Sequence, residues 1–301
     1  KVGLVDAHGK IIAKNTKKTA PTANECIKNL VIQINDLLNE NALTISDVKG
    51  IGIGCPGAVD SSIGFVEFLP NLGWEKVNLA DELNKYFPVE IKISNDANVA
   101  VLGEAIYGSA KGSDTCIMFT LGTGIGGGII INKKLYEGYK SRGAELGHST
   151  LVLNGEPCTC GRKGCIECYT SATALIKQTK TAMLGDKDSL MWKYVDGDID
   201  AVDGKCAFEC AKKGDKTANQ VIDTYCMYLA ESMLNMFNIF RPEVFVLGGG
   251  LSAQGDYLID KLKAYCEKFD YGYKSAPRTK IVKASLGNDA GIIGASALLC
   301  D

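Results

Sequence analysis

TCIMFTLGTGIGGGIIINKKLY, residues 115–136, decides how the rest of this chain is read. Gly122-Thr-Gly124-Ile-Gly126-Gly127 fits the G-x-G-x-x-G pattern of dinucleotide-binding loops, but that pattern needs a helix directly after it. Here Gly128-Ile129-Ile130-Ile131 follows, β-branched and closed by the Asn132-Lys133-Lys134 turn, so a strand follows and the dinucleotide reading fails. The stretch is strand, glycine loop, strand, turn. Such a loop gathers backbone N–H groups in one place, which suits phosphate; the plainer alternative is a tight hairpin whose glycines supply positive φ. Four glycines in six positions favour phosphate, with Gly122, Thr123 and Gly124 as candidates.

Outward from this stretch, strands and helices alternate, which makes the class α/β. VGLVDAHGKIIAK reads as strand, turn, strand. Residues 25–39 carry helical periodicity on Ile27, Leu30, Ile34, Leu37 and Leu38. KGIGIGCPGAVD is a strand running into a turn, and IKIS (91–94) is a strand followed by a helix that closes at Gly108. The later chain is mainly helical to Arg241-Pro242. A strand EVFVL then ends in Gly248-Gly249-Gly250, where α/β sheets take ligands. Residues 256–269 form a helix, KIVKASLG a strand, and 290–299 a helix of small residues. The second half repeats the first, except that the first half opens one strand into the repeating unit. A first strand and its loop are therefore expected to be missing. The expected domains are 1–113 plus 290–301, and 114–289.

Bulk properties narrow the partners. With 33 Lys and Arg against 35 Asp and Glu there is no basic field for nucleic acid or anionic lipid. No apolar run is long enough to span a bilayer, and the start does not read as a signal peptide. A cytoplasmic protein is expected, and the scattered members of its twelve cysteines read as small buried hydrophobes.

Four of those cysteines are not scattered. GEPCTCGRKGCIEC (155–168), taken with His148, gives H-x9-C-x-C-x4-C through Cys158, Cys160 and Cys165. Thiolates and one imidazole suit a closed tetrahedral Zn²⁺ site. Cys168 is a spare that could replace Cys165, and Cys165-x-x-Cys168 also fits a redox pair, though that leaves His148 and the other two thiols without a role. His8 falls in a turn and should face solvent. Asn95-Asp96 lies between a strand and a helix; an aspartate there caps a helix readily, and the alternative is a general base for phosphoryl transfer.

GAELGH (143–148) and CTCGRKGCIE (158–167), with SNDAN (94–98), LGTGIGGG (121–128) and LPNLGW (69–74), resemble the ROK family of sugar kinases within the actin-like ATPase superfamily, over essentially the whole chain. The resemblance implies a two-lobed, ribonuclease H-like fold of duplicated mixed β-sheet domains with a central cleft. It implies ATP-dependent phosphorylation of a hexose 6-hydroxyl, glucose first. The alternatives are an N-acetylmannosamine, N-acetylglucosamine or fructose kinase, or a truncated sugar-responsive repressor. Asp96 would be the base. Gly57, Asn71, Asn95, Glu145, His148 and Glu167 would join it around the sugar, with His148 also on zinc. Gly249 and Gly250 would lie against the adenosine, Mg²⁺ would accompany ATP, and a homodimer is expected. The family's Asp-x-Gly-Gly-Thr loop, which aligns just ahead of Lys1, is not in this sequence. A zinc-stabilised binding module is the remaining class, and it leaves the glycine loop without a task.

Overall fold

Glycine at every second position of Gly50-Ile51-Gly52-Ile53-Gly54 gives one strand a bare face and an isoleucine face. The bare face admits helix backbone: a Cβ at Gly52 would stand 1.8 Å from the Ala295 carbonyl oxygen, and one at Gly54 would stand 2.7 Å from Val99. Ile51 and Ile53 pack on the other side against the cluster that holds Leu79, Leu83, Phe87 and Ile93. The computed structural model describes every residue except Pro70, Asn71, Tyr273, Ala276 and Asp301.

In chain order the elements are β1 Val2–Val5, β2 Ile11–Asn15, α1 Ala23–Glu40, β3 Gly50–Cys55, β4 Ala58–Asp60, β5 Phe65–Leu69, β6 Trp74–Val77, α2 Leu79–Asn84, β7 Glu90–Asn95 and α3 Asp96–Ile106. Then come β8 Cys116–Leu121, β9 Ile125–Ile131, β10 Lys134–Leu135, α4 Glu167–Thr170, α5 Ala172–Gly185, α6 Leu190–Tyr194, α7 Cys206–Lys212 and α8 Lys216–Phe240. The chain ends with β11 Val244–Gly248, α9 Asp256–Phe269, β12 Lys280–Lys283 and α10 Ala290–Ala297.

These elements fall into two compact units. The first holds Lys1–Cys116, Gly128–Ala144 and Ser285–Asp301; the second holds Ile117–Gly127 and Glu145–Ala284. The sequence reading placed residues 114–116, 128–144 and 285–289 in the second domain.

In the first unit β1 pairs with β2 antiparallel, β3 with β7 in parallel, and β4, β5 and β6 form a separate antiparallel sheet. The last of these was not read from sequence. α3 and α10 cross at glycines: a Cβ at Gly103 would stand 3.0 Å from Gly294 Cα, so the two backbones touch.

In the second unit β8 lies beside β11, and β11 pairs with β12 in parallel. Phe119 of β8 meets Phe245 of β11 edge to face at 5.0 Å, and Phe237 of α8 completes the stack at 5.7 Å. Both geometries suit the aromatic quadrupole. α8 starts at an Asp215 cap that accepts from the Ala218 N–H at 2.6 Å, and stops at Arg241, whose φ is 44°. Pro242 then bars any continuation.

Candidate active site

In the first unit the end of β7 presents Ser94, Asn95 and Asp96. Both Asn95 and Asp96 are good helix caps by type, and the backbone decides between them. Asn95 is extended (φ −64°, ψ 149°), and its side-chain oxygen accepts from the N–H groups of Ala97 at 2.8 Å and Asn98 at 3.4 Å. Asn95 is therefore the cap, and Asp96 is the first helical residue. The Asn95 amide also donates to the Gly57 carbonyl at 3.1 Å. Gly57 has φ 95°, and a Cβ there would stand 2.5 Å from the Phe68 carbonyl oxygen, so this turn needs glycine.

Asp96 Oδ1 accepts from the Ala97 N–H at 2.9 Å. The residue is exposed. Even so, packing around the carboxyl removes enough water to raise its pKa above the ordinary 3.8, and the N–H groups of Ala97 and of Asp96 itself oppose that rise. A carboxylate with a raised pKa, relieved of capping duty and open to solvent, can accept a proton. Asn71, the remaining sugar-side candidate of this unit, lies outside the described residues.

Glu137 was not singled out in the sequence. Its carboxylate accepts from Ser94 Oγ at 2.5 Å and from Ser61 Oγ at 2.6 Å, and Ser61 Oγ meets Ser141 Oγ at 2.7 Å. A lone glutamate between tyrosine and glycine gives no sequence signal of this.

In the second unit the glycine loop closes on itself. The Gly122 N–H donates to the Gly124 carbonyl at 3.0 Å, and the Gly122 carbonyl accepts from the Ala172 N–H at 2.8 Å. None of the glycines from Gly122 to Gly128 has positive φ, so the hairpin alternative as framed does not explain them. Close approach does explain one: a Cβ at Gly124 would stand 2.2 Å from Glu167 Oε2. That same oxygen accepts from the Ile125 N–H at 2.9 Å, so Glu167 lies against the loop. Gly249 joins the group, with φ 78° and a would-be Cβ 2.5 Å from the Leu121 carbonyl oxygen, while Gly250 faces open space. The candidates Gly122, Thr123, Gly124, Gly249 and Glu167 thus gather at the end of β8.

Glu145 is exposed and leads a short turn to His148; Gly147 under it packs on the Ile125 carbonyl. His148 Nδ1 lies 3.6 Å from Cys158 Sγ, and Cys160 Sγ lies 3.6 Å from Cys165 Sγ. All four donor atoms fall within 4.8 Å of one another. A tetrahedral ion with Zn–S bonds of about 2.3 Å sets sulfurs roughly 3.8 Å apart, so this donor set fits zinc. The loop is shaped for it: Gly164 has φ 78°, and a Cβ there would stand 1.6 Å from the Val152 carbonyl oxygen. Burial alone would raise the Cys158 thiol, but the Cys160 N–H, the neighbouring thiols and His148 bring it down to about 7, while burial and the same thiols push Cys165 up to about 12. Cys168 Sγ donates to the Pro157 carbonyl at 3.4 Å and is not among the four clustered donors. His8 is exposed, as expected.

A sequence profile described as the ROK family matches residues 1–301. The chain belongs to the ROK family. Among similar proteins, a glucokinase of Thermotoga maritima is 36% identical over 99% of this chain and 93% of its own length. The crystal structure of a ROK family glucokinase from Streptomyces griseus, in complex with glucose and AMPPNP, has a TM-score of 0.82 at 32% identity, covering 98% of this chain and 94% of that one. A xylose repressor of Bacillus subtilis is 28% identical over 99% of this chain and 73% of its own length. The fold of this ROK chain is accordingly the actin-like α/β fold, present here as two units. Among the described residues no helix is long and apolar enough to cross a membrane.

Proposed function

We propose that this ROK protein is an ATP-dependent sugar kinase that phosphorylates a hexose, glucose foremost, at its 6-hydroxyl. The observation that carries the reading is the division of labour at the start of α3: Asn95 caps the helix and Asp96 is left to take the hydroxyl proton. Phosphoryl transfer asks little else of the protein than such a base, positioned phosphates and charge stabilisation. Gly122, Thr123 and Gly124 are assigned to the phosphates, and Gly249 and Gly250 to the adenosine. Gly57, Asn71, Asn95, Glu145, His148 and Glu167 are assigned to the sugar hydroxyls. Mg²⁺ would offset phosphate charge when ATP binds. His148, Cys158, Cys160 and Cys165 would hold a structural Zn²⁺, and a homodimer, checked by light scattering, completes the reading. The glucokinase relatives support the substrate class.

The test is ADP release in a coupled assay with glucose, mannose, fructose, N-acetylmannosamine and N-acetylglucosamine in turn. Turnover on glucose that disappears in Asp96→Asn supports the proposal; no turnover on any of them refutes it. Similarity to xylose repressors favours one other reading, a sugar-responsive regulator. That reading requires saturable sugar binding without ADP release.

A further inference from the structure

We propose that Glu137 is a positioning residue, a carboxylate clamp that fixes the strand end bearing Asp96 to the loop of residues 138–144. The inference rests on the reading of Asp96 as the proton acceptor. Its basis is geometric and lies wholly within the first unit. Glu137 Oε1 accepts from Ser94 Oγ at 2.5 Å, with the Asn98 amide at 3.5 Å from the same oxygen. Ser94 is fully buried and Asn98 almost so. These two residues bracket the Asn95-Asp96-Ala97 turn, so one carboxylate oxygen holds both shoulders of the segment that carries the base. Deep in the unit, the Ser94 hydroxyl would be left unsatisfied without this acceptor.

The other oxygen reaches elsewhere. Glu137 Oε2 accepts from Ser61 Oγ at 2.6 Å, and Ser61 is tied to Ser141 twice, through its N–H at 3.1 Å and its hydroxyl at 2.7 Å. The Glu137 carbonyl also accepts from the Gly143 N–H at 2.6 Å. That loop needs holding. Lys140, Ser141 and Ala144 have φ of 50°, 55° and 62°, a left-handed conformation that non-glycine residues adopt rarely and keep only when their surroundings enforce it. In sequence the loop runs directly into Glu145. The clamp thus joins the segment that presents the base to the segment that leads into a proposed sugar ligand. A carboxylate suits the task because it can accept from two hydroxyls at once.

The test compares Glu137→Ala, Glu137→Gln and Ser94→Ala with the parent protein. Glu137→Ala should lower kcat by about 10²-fold, the cost of misplacing a catalytic group by about 1 Å, with the KM for ATP within about twofold. Glu137→Gln keeps an acceptor for Ser94 and should recover most of the loss. Ser94→Ala should lower kcat in the same direction, and adding it to Glu137→Ala should cost little more. Hydrogen exchange at the amides of residues 94–98 should quicken at least tenfold in Glu137→Ala while β11 is unchanged. A merely structural role predicts a different pattern: sugar-binding stoichiometry falls together with activity, kcat per binding site stays at the parent value, and the inference is overturned. Parent-like kcat and exchange in Glu137→Ala would overturn it equally. If the parent protein turns over no sugar, the kinase proposal fails by itself, and the exchange measurement still decides the clamp.

Discussion

Each unit carries a parallel strand pair, and the two pairs end in different chemistry. In the first, β7 runs into Asn95 and Asp96 at the start of α3. In the second, β11 runs into the Gly248-Gly249-Gly250 turn. Burial separates them too: Ile117, Phe119, Phe245 and Val246 are sealed in the second, whereas Asn95 in the first is part-buried and Asp96 exposed. Hydrophobic stabilisation scales with apolar area removed from water, so the second unit should be the stability reserve. The first instead concentrates polar machinery, Asn95, Asp96 and Glu137, at the end of β7.

The sharpest way to break that contrast is to disable each unit separately. Asp96→Asn in the first should cut kcat by about 10²–10⁴-fold, the range for a general base, and leave the folded fraction intact because Asn95 does the capping. Sugar affinity measured by calorimetry should change little. A parent-like kcat would show that Asp96 only decorates a helix start. In the second unit, elemental analysis should find about one zinc per chain. Its removal by a chelator should lower stability by about 4 kcal/mol, if metal had been present at a thousandfold its dissociation constant. Cys160→Ser should do the same without chelator, read as a lower midpoint in thermal unfolding. Equal stability with and without metal would undo the assignment of the second unit as the stabilised half.

Much of this arrangement is legible in the sequence, because glycine marks it. The runs around Gly50–Gly54, Gly122–Gly128 and Gly248–Gly250 announce strands that end at close backbone contacts, and the cysteine spacing announces the metal loop. The β4–β5–β6 sheet was not legible. Its strands are short, SSIGFVEFLPNLGW mixes polar and apolar residues without a clean period, and Lys76 inside β6 has φ 53°. The choice between Asn95 and Asp96 as cap was not legible either, since both types cap well and only the backbone angles separate them. Glu137 was invisible because its partners Ser61 and Ser94 lie 76 and 43 residues away, and no local pattern encodes such contacts.

A milder probe reads the sheets directly. Amides of residues 95–97, at the polar end of β7, should exchange at least about tenfold faster than those of β8 and β11, corresponding to a local opening free energy lower by about 1.4 kcal/mol. Uniform protection would mean that the polar end of β7 is held as firmly as the sealed strands.

The smallest expected effect concerns the same carboxyl that dominates catalysis. Its folded pKa is raised above 3.8, so the fold favours the protonated form. The stability associated with Asp96 is therefore fully present below pH 3.8 and declines as pH rises through the folded value. Asn cannot ionise, so Asp96→Asn should be somewhat more stable than the parent at neutral pH, and the advantage should vanish on acidification below 3.8. Turnover runs the other way, because a base must be ionised: activity should fall as pH drops through the same raised value. Opposed pH dependences of stability and rate, both abolished by one substitution, would localise to Asp96 a trade between the two that the second unit, with its sealed strands and metal loop, does not make. A stability difference that ignores pH would mean instead that the substitution acts through packing, and the contrast between the units would then rest on amide exchange alone.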